Sequence, residues 1–167
     1  MVVDEVMADL GVQRKRNSPM CGIAGFWSTD RSRESAETLR HMTDAIRHRG
    51  PDAEGQWIDP ETGVALGHRR LSIVELSPLG AQPMFSASGR WVIVFNGEIY
   101  NFRDLRRELQ QRNVAFRGYS DTEVLLAAFD QWGLDEALRR SVGMFAIAVF
   151  DRETRALHLA RDRVGEK

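Results

Sequence analysis

The chain holds a single cysteine, Cys21, in the pair Met20-Cys21. A lone thiol is most often a buried structural group, but this position allows chemistry. Removal of an initiator methionine ahead of a small residue would leave cysteine at the N-terminus, carrying both a thiol and a free α-amine. With reference pKa values of roughly 8.5 for the thiol and 7.7–8.0 for the amine, the amine can take the thiol proton near neutral pH, directly or through a water. Such a nucleophile needs no separate histidine. A second candidate is Asn96-Gly97-Glu98, after the apolar run Trp91 to Phe95. A glycine at a strand end lets a backbone N–H approach a ligand closely, and the asparagine amide supplies a second donor. Two donors aimed at one point make an oxyanion hole. The commoner meaning of Asn-Gly is a hairpin turn, and pattern alone favours it.

Two further groups could bind a charged substrate. In Arg69-Arg70-Leu71-Ser72-Ile73-Val74 an arginine at a strand end can pair bidentately with a carboxylate, although an exposed surface arginine is the blander reading. Asp121, in Ser120-Asp121-Thr122-Glu123, either stabilises a helix N-terminus or holds an ammonium group. His41, His48, His68 and His158 have no metal-site spacing and read as structural. Gly22 and Gly25 are only a fragment of a dinucleotide fingerprint, without its third glycine.

These residues need a scaffold. Cys21 to Trp27 reads as a strand held close to other backbone, and Glu34 to His48 as a helix carrying Leu39, Met42 and Ile46 and stopped by Gly50-Pro51. Val64 to Gly67, Trp91 to Phe95, Met144 to Phe150 and Ala156 to Ala160 are strand-like. Trp91 to Phe95 is apolar throughout, which predicts burial on both faces. Asn101 to Arg112 puts Phe102, Leu105 and Leu109 on one helical face, with Asn101 as N-cap. Ser120 and Glu123 form a capping box before Val124 to Trp132, with Gly133 as the stop. Strands with helices grouped between them fit a layered α+β domain.

Composition bounds the function. The 167 residues hold 23 Lys+Arg against 24 Asp+Glu, a net charge of −1, which argues against a dedicated nucleic-acid binder. The longest apolar run, Met144 to Phe150, is too short to span a membrane. One cysteine excludes an internal disulfide and a multi-thiolate metal site. Residues 1–19 contain no continuous apolar segment of the secretory kind. Their Arg14-Lys15-Arg16 cluster reads as solvated linker, and Asn17-Ser18-Pro19 as a breaker.

Taken together, the segments MCGIAGF (20–26), RHRGPD (47–52), GHRRLSIV (67–74), QPM (82–84), FNGEIYN (95–101), SDTE (120–123), GMF (143–145) and RDRVGEK (161–167) resemble class II glutamine amidotransferase domains. These belong to the N-terminal nucleophile hydrolases, and the likeness is greatest to the N-terminal domain of glutamine-hydrolysing asparagine synthetases. It covers residues 20–167. The resemblance implies a four-layer α/β/β/α sandwich. It assigns Cys21 as nucleophile and Asn96 and Gly97 as oxyanion donors. It gives Arg70 the glutamine α-carboxylate, Glu98 and Asp121 the α-ammonium, and Leu71, Ser72, Ile73 and Val74 the pocket wall.

The activity so implied is hydrolysis of L-glutamine to glutamate and ammonia through a cysteine thioester, in the cytoplasm and without a cofactor in this stretch. The implied partner is a synthetase domain of the same polypeptide that uses ATP and Mg to convert aspartate to asparagine. The oligomeric state is open, a homodimer being one option. Two alternatives stand: an amidotransferase of the same superfamily acting in peptide or exopolysaccharide biosynthesis, or a non-catalytic relative. With residues 1–19 attached, the Cys21 nitrogen is an amide and cannot act as base. An upstream start in place of Met20, a removable propeptide or an inactive variant would each account for them. The family runs on into another strand where RDRVGEK ends, so the sandwich is expected to be incomplete, with an unpaired edge and poor stability for 20–167 alone.

Overall fold

Strand pairing sorts the chain into two antiparallel sheets. A computed structural model describes residues 21–28, 34–71 and 78–167. In the first sheet β1 (Gly22–Trp27) and β2 (Ala53–Asp59) flank β3 (Val64–Arg70). In the second the order is β4 (Met84–Phe85), β5 (Trp91–Ile99), β6 (Gly143–Asp151) and β7 (Ala156–Arg161). Helix α1 (Glu34–Ala45) lies against β1 and β3. Helices α2 (Phe102–Gln111), α3 (Asp121–Trp132) and α4 (Leu134–Arg140) come from the long segment between β5 and β6. The result is the α/β/β/α sandwich that the resemblance implied.

Alternation along β5 builds both cores at once. Trp91, Ile93 and Phe95 point to one side and join Leu105, Leu109, Leu125 and Phe129 of the helices. Val92 and Val94 point to the other and meet Val64 and Leu66 of β3. Strand β6 repeats the division, with Phe145, Ile147 and Val149 on the helical side and Ala148 and Phe150 between the sheets. A strand buried on both faces must be apolar without a break, which is why the WVIVF run is legible. On the outer face of β3, Gly67 admits α1 directly, since a Cβ there would press on Leu39 and Thr43.

The structure amends several local expectations. Helix α1 stops at Ala45, and the turn that follows brings Arg49 back to the start of β1, where its Nε donates to the Cys21 carbonyl at 3.4 Å. Asn101 stands at the start of α2 but does not cap it. Its amide donates to the Arg140 carbonyl and its oxygen accepts from the Val142 N–H, each at 2.9 Å, tying α2 to the α4–β6 connection. Ser120 does cap α3, accepting from the Glu123 N–H at 3.2 Å. Glu123 does not return the bond to Ser120; its carboxylate takes the N–H groups of Arg117 and Gly118 at 2.7 and 2.9 Å. Strands β2 and β4 and helix α4 were not foreseen. Among the described residues no helix is long and apolar enough to cross a membrane.

Candidate active site

Asn96 and Gly97 settle the ambiguity of the Asn-Gly pair. They are not a turn. They lie inside β5, paired with Ala146 and Phe145, and pairing continues to Ile99 opposite Gly143. Gly97 has φ +157°, and a Cβ there would collide with the Met144 carbonyl oxygen. Only glycine lets the two strands keep this register.

Cys21 sits just before β1, half-buried. Its thiol is clasped by one residue of the other flank: the Leu71 N–H donates to Sγ at 3.4 Å, and the thiol faces the Leu71 carbonyl at 3.6 Å. Leu71 follows β3, so the β1–β3 pairing that sets Gly22 opposite Arg69 also sets Cys21 beside Leu71. The turn after α1 closes on the same strand end. The Asp52 N–H donates to the Arg70 carbonyl at 3.1 Å, and Gly50 rests against the Arg69 backbone so closely that a Cβ would not fit. The RHRGPD segment therefore holds the ends of β1 and β3 together.

Period-two alternation separates the neighbouring arginines. Arg69 turns to the helical side, buried, where it donates to the Thr43 carbonyl at 3.0 Å and pairs with Asp44 and with Glu54 at 2.7 Å. Arg70 turns inward and lines a cavity of about 160 Å³ between the sheets. Cys21, Leu71, Asn96, Gly97, Glu98 and Asp121 line it too. Seven of the ten residues the sequence singled out therefore share one space. Ser72, Ile73 and Val74 lie outside the described residues.

The electrostatics of the cavity suit a zwitterion. Asp121 is 8% exposed, and its oxygens accept from the Ile99 N–H at 2.9 Å and the Thr122 N–H at 2.8 Å. Burial pushes its carboxyl above the usual range against those hydrogen bonds, and the nearby Glu98 adds to the shift. An acid so placed is stabilised by an arriving cation. Arg70 offers the opposite charge in the same space, and the thiol lies with them.

Several lining residues escaped the sequence reading: His68, Gly80, Gln82, Phe95, Ser120, Thr122 and Met144. His68 carried a usable signal, being two residues before Arg70 on the same strand and so on the same face. It is fully buried, and burial lowers its pKa to about 4, with Arg70 adding to the shift. Gln82 lay in the QPM segment, but nothing in the sequence says that its side chain reaches the cavity. Among the described residues no cluster of three or more His, Cys, Asp or Glu is placed to hold a metal ion.

Residues 20–167 match the family model described as a glutamine amidotransferase domain. The chain belongs to this family. It is 39% identical over 151 residues to asparagine synthetase [glutamine-hydrolyzing] 3 of Bacillus subtilis, covering 89% of this chain and 24% of that protein. It is 40% identical over 162 residues to the putative asparagine synthetase of Mycobacterium tuberculosis, with the same shares. It is also 36% identical over 158 residues to amidase chry2 of Gibberella zeae, covering 89% of this chain and 23% of that protein. The chain thus spans about a quarter of the length of these relatives. Among solved structures, the glutamine phosphoribosylpyrophosphate amidotransferase of B. subtilis superposes with a TM-score of 0.66 at 19% identity, over 87% of this chain and 37% of that one. That likeness speaks for the fold, which is of the N-terminal nucleophile hydrolase type.

Proposed function

We propose that this glutamine amidotransferase domain hydrolyses L-glutamine in the inter-sheet cavity, with Cys21 as nucleophile. The observation that carries the reading is the meeting of a thiol, the Asn96–Gly97 pair, one cation and two acids in a single space. Arg70 takes the substrate α-carboxylate; Glu98 and Asp121 take the α-ammonium. Leu71 forms part of the wall, and the family resemblance assigns Ser72, Ile73 and Val74 to substrate binding. The Cys21 α-amine accepts the thiol proton, and the thiolate attacks the side-chain amide carbon. The developing oxyanion rests on the Asn96 side-chain N–H and the Gly97 backbone N–H. The ammonium of Cys21 returns its proton as ammonia leaves, and a γ-glutamyl thioester forms. Water then cleaves the thioester and releases glutamate.

This mechanism requires a free amine, so the active form begins at Cys21. The Met20-Cys21 pair supports that start. N-terminal sequencing of protein from its native host tests it, and active protein beginning at Met1 would refute it. The chemistry is tested by glutamate release from glutamine by protein started at Met20. Activity is expected for that protein and none for Cys21→Ala; no release by a folded wild type would favour a non-catalytic relative.

The likeness to asparagine synthetases supports a use for the ammonia: ATP- and Mg-dependent conversion of aspartate to asparagine by a synthetase domain of the same polypeptide. The similar identity to an amidase favours keeping a second reading, in which another acceptor receives the ammonia. The coding sequence downstream of Lys167 separates the two.

A further inference from the structure

We propose that His68 and Gln82 are positioning residues that jointly hold the Phe95 peptide, and through it the adjoining Asn96–Gly97 donor pair, in place opposite Cys21. The proposal rests on the reading of the cavity as a glutamine-hydrolysing site. Strand β4 is only two residues long, pairing Met84 with Ile93 and Phe85 with Val92. Continued by two residues, that register would bring Gln82 opposite Phe95, where a backbone N–H and C=O would complete the edge of β5. Side chains fill that place instead. Gln82 Oε1 accepts from the Phe95 N–H at 2.6 Å, and His68 Nε2 donates to the Phe95 carbonyl at 3.2 Å.

The two side chains come from different parts of the fold. His68 belongs to β3 of the opposite sheet, two residues from Arg70, so its bond spans the gap between the sheets. Gln82 also donates through Nε2 to the Thr122 hydroxyl at 3.4 Å, beside Asp121 at the start of α3. The residue preceding Asn96 is therefore tied at once to the strand that carries Arg70 and to the helix that carries Asp121. An oxyanion hole is effective only when its donors are fixed before charge develops, and displacement of the order of 1 Å can cost about a hundredfold in rate. His68 suits this role because burial keeps it neutral, so it donates one hydrogen bond without bringing a second positive charge next to Arg70.

Glutamate release by the active protein, started at Met20 so that Cys21 becomes the N-terminus, is measured for wild type, His68→Leu, His68→Gln and Gln82→Leu. Rates are divided by active sites, counted by alkylation of Cys21 with a glutamine-like electrophile. Both leucine variants are expected to lose about tenfold or more in kcat, with KM within about threefold because Arg70, Glu98 and Asp121 are untouched. Glutamate γ-semialdehyde, which forms a tetrahedral adduct on Cys21 with the same oxyanion, should bind about tenfold more weakly to them, while inhibition by L-glutamate is unchanged. His68→Gln keeps an N–H donor and should recover most of the lost rate. A merely structural role would lower the active-site count and the melting temperature but leave kcat per site and the aldehyde-to-glutamate ratio alone; that result overturns the proposal. Should His68→Leu not fold, the half-buried Gln82 carries the same test. A wild type that releases no glutamate, or a Cys21→Ala protein that matches it, overturns the underlying reading and this proposal together.

Discussion

Leu71 presents both its N–H and its carbonyl to the Cys21 sulfur, a contact made entirely of backbone and therefore blind to the side chain at position 71. The chemistry at this scale depends on groups that cannot be exchanged. Arg70 faces the cavity that Glu98 and Asp121 also line. Arg70→Leu should raise KM for glutamine by about tenfold to a hundredfold, the range of one lost charge-assisted hydrogen bond, with a smaller change in kcat; steady-state kinetics checks this. His68 makes a pH prediction. Its pKa falls from 6.5 to about 4 on folding, so between those values the unfolded chain binds the proton that the folded chain refuses. Stability contributed by the neutral imidazole is complete above about pH 6.5 and declines as pH falls toward 4, by about 3 kcal/mol over the window. Urea unfolding at pH 7 and pH 4.5 should show this loss in wild type and not in His68→Gln.

Strand β5 carries the Asn96–Gly97 pair in its second half, flanked by β6 along its whole length and by β4 for only two residues. The pair is thus held by ladder bonds on one side and open to the cavity on the other. Gly97→Ala would drive a methyl group into the Met144 carbonyl and force β5 from β6. A stability loss of about 1–3 kcal/mol and loss of glutamate release are expected, read by thermal unfolding and by assay. Asn101 offers a contrast outside the cavity. Removing its two hydrogen bonds in Asn101→Ala should cost about 2 kcal/mol in chemical denaturation while KM stays as in wild type.

At the scale of the whole molecule, the site exists because two sheets are packed face to face. Phe150 is fully buried between them and meets the Trp57 ring at a centroid distance of 5.5 Å. Phe150→Ala should destabilise the domain by about 3–5 kcal/mol and broaden its unfolding transition, measured by circular dichroism. Much of this architecture was legible in the chain. WVIVF announced a strand buried on two sides because such a strand has no polar face to show. Leu105 and Leu109 marked α2 by their spacing. Less regular elements were hidden: β2 mixes exposed and half-buried positions, and β4 is too short to have a period.

The sequence by itself determined the reactive types: one cysteine beside a methionine, an Asn-Gly after an apolar strand, paired arginines and an acid at a helix start. Residue type and local spacing are properties of the chain, and the chemistry they permit follows from them. Only the tertiary structure decided which of them act together. Asn-Gly became a strand interior and not a turn because β6 supplies partners as far as Gly143. Arg69 and Arg70 parted because β3 has α1 on one face and the second sheet on the other. His68 and Gln82 reached Phe95 across 27 and 13 positions of sequence, distances at which no local pattern constrains a side chain and only the packing of the sheets does.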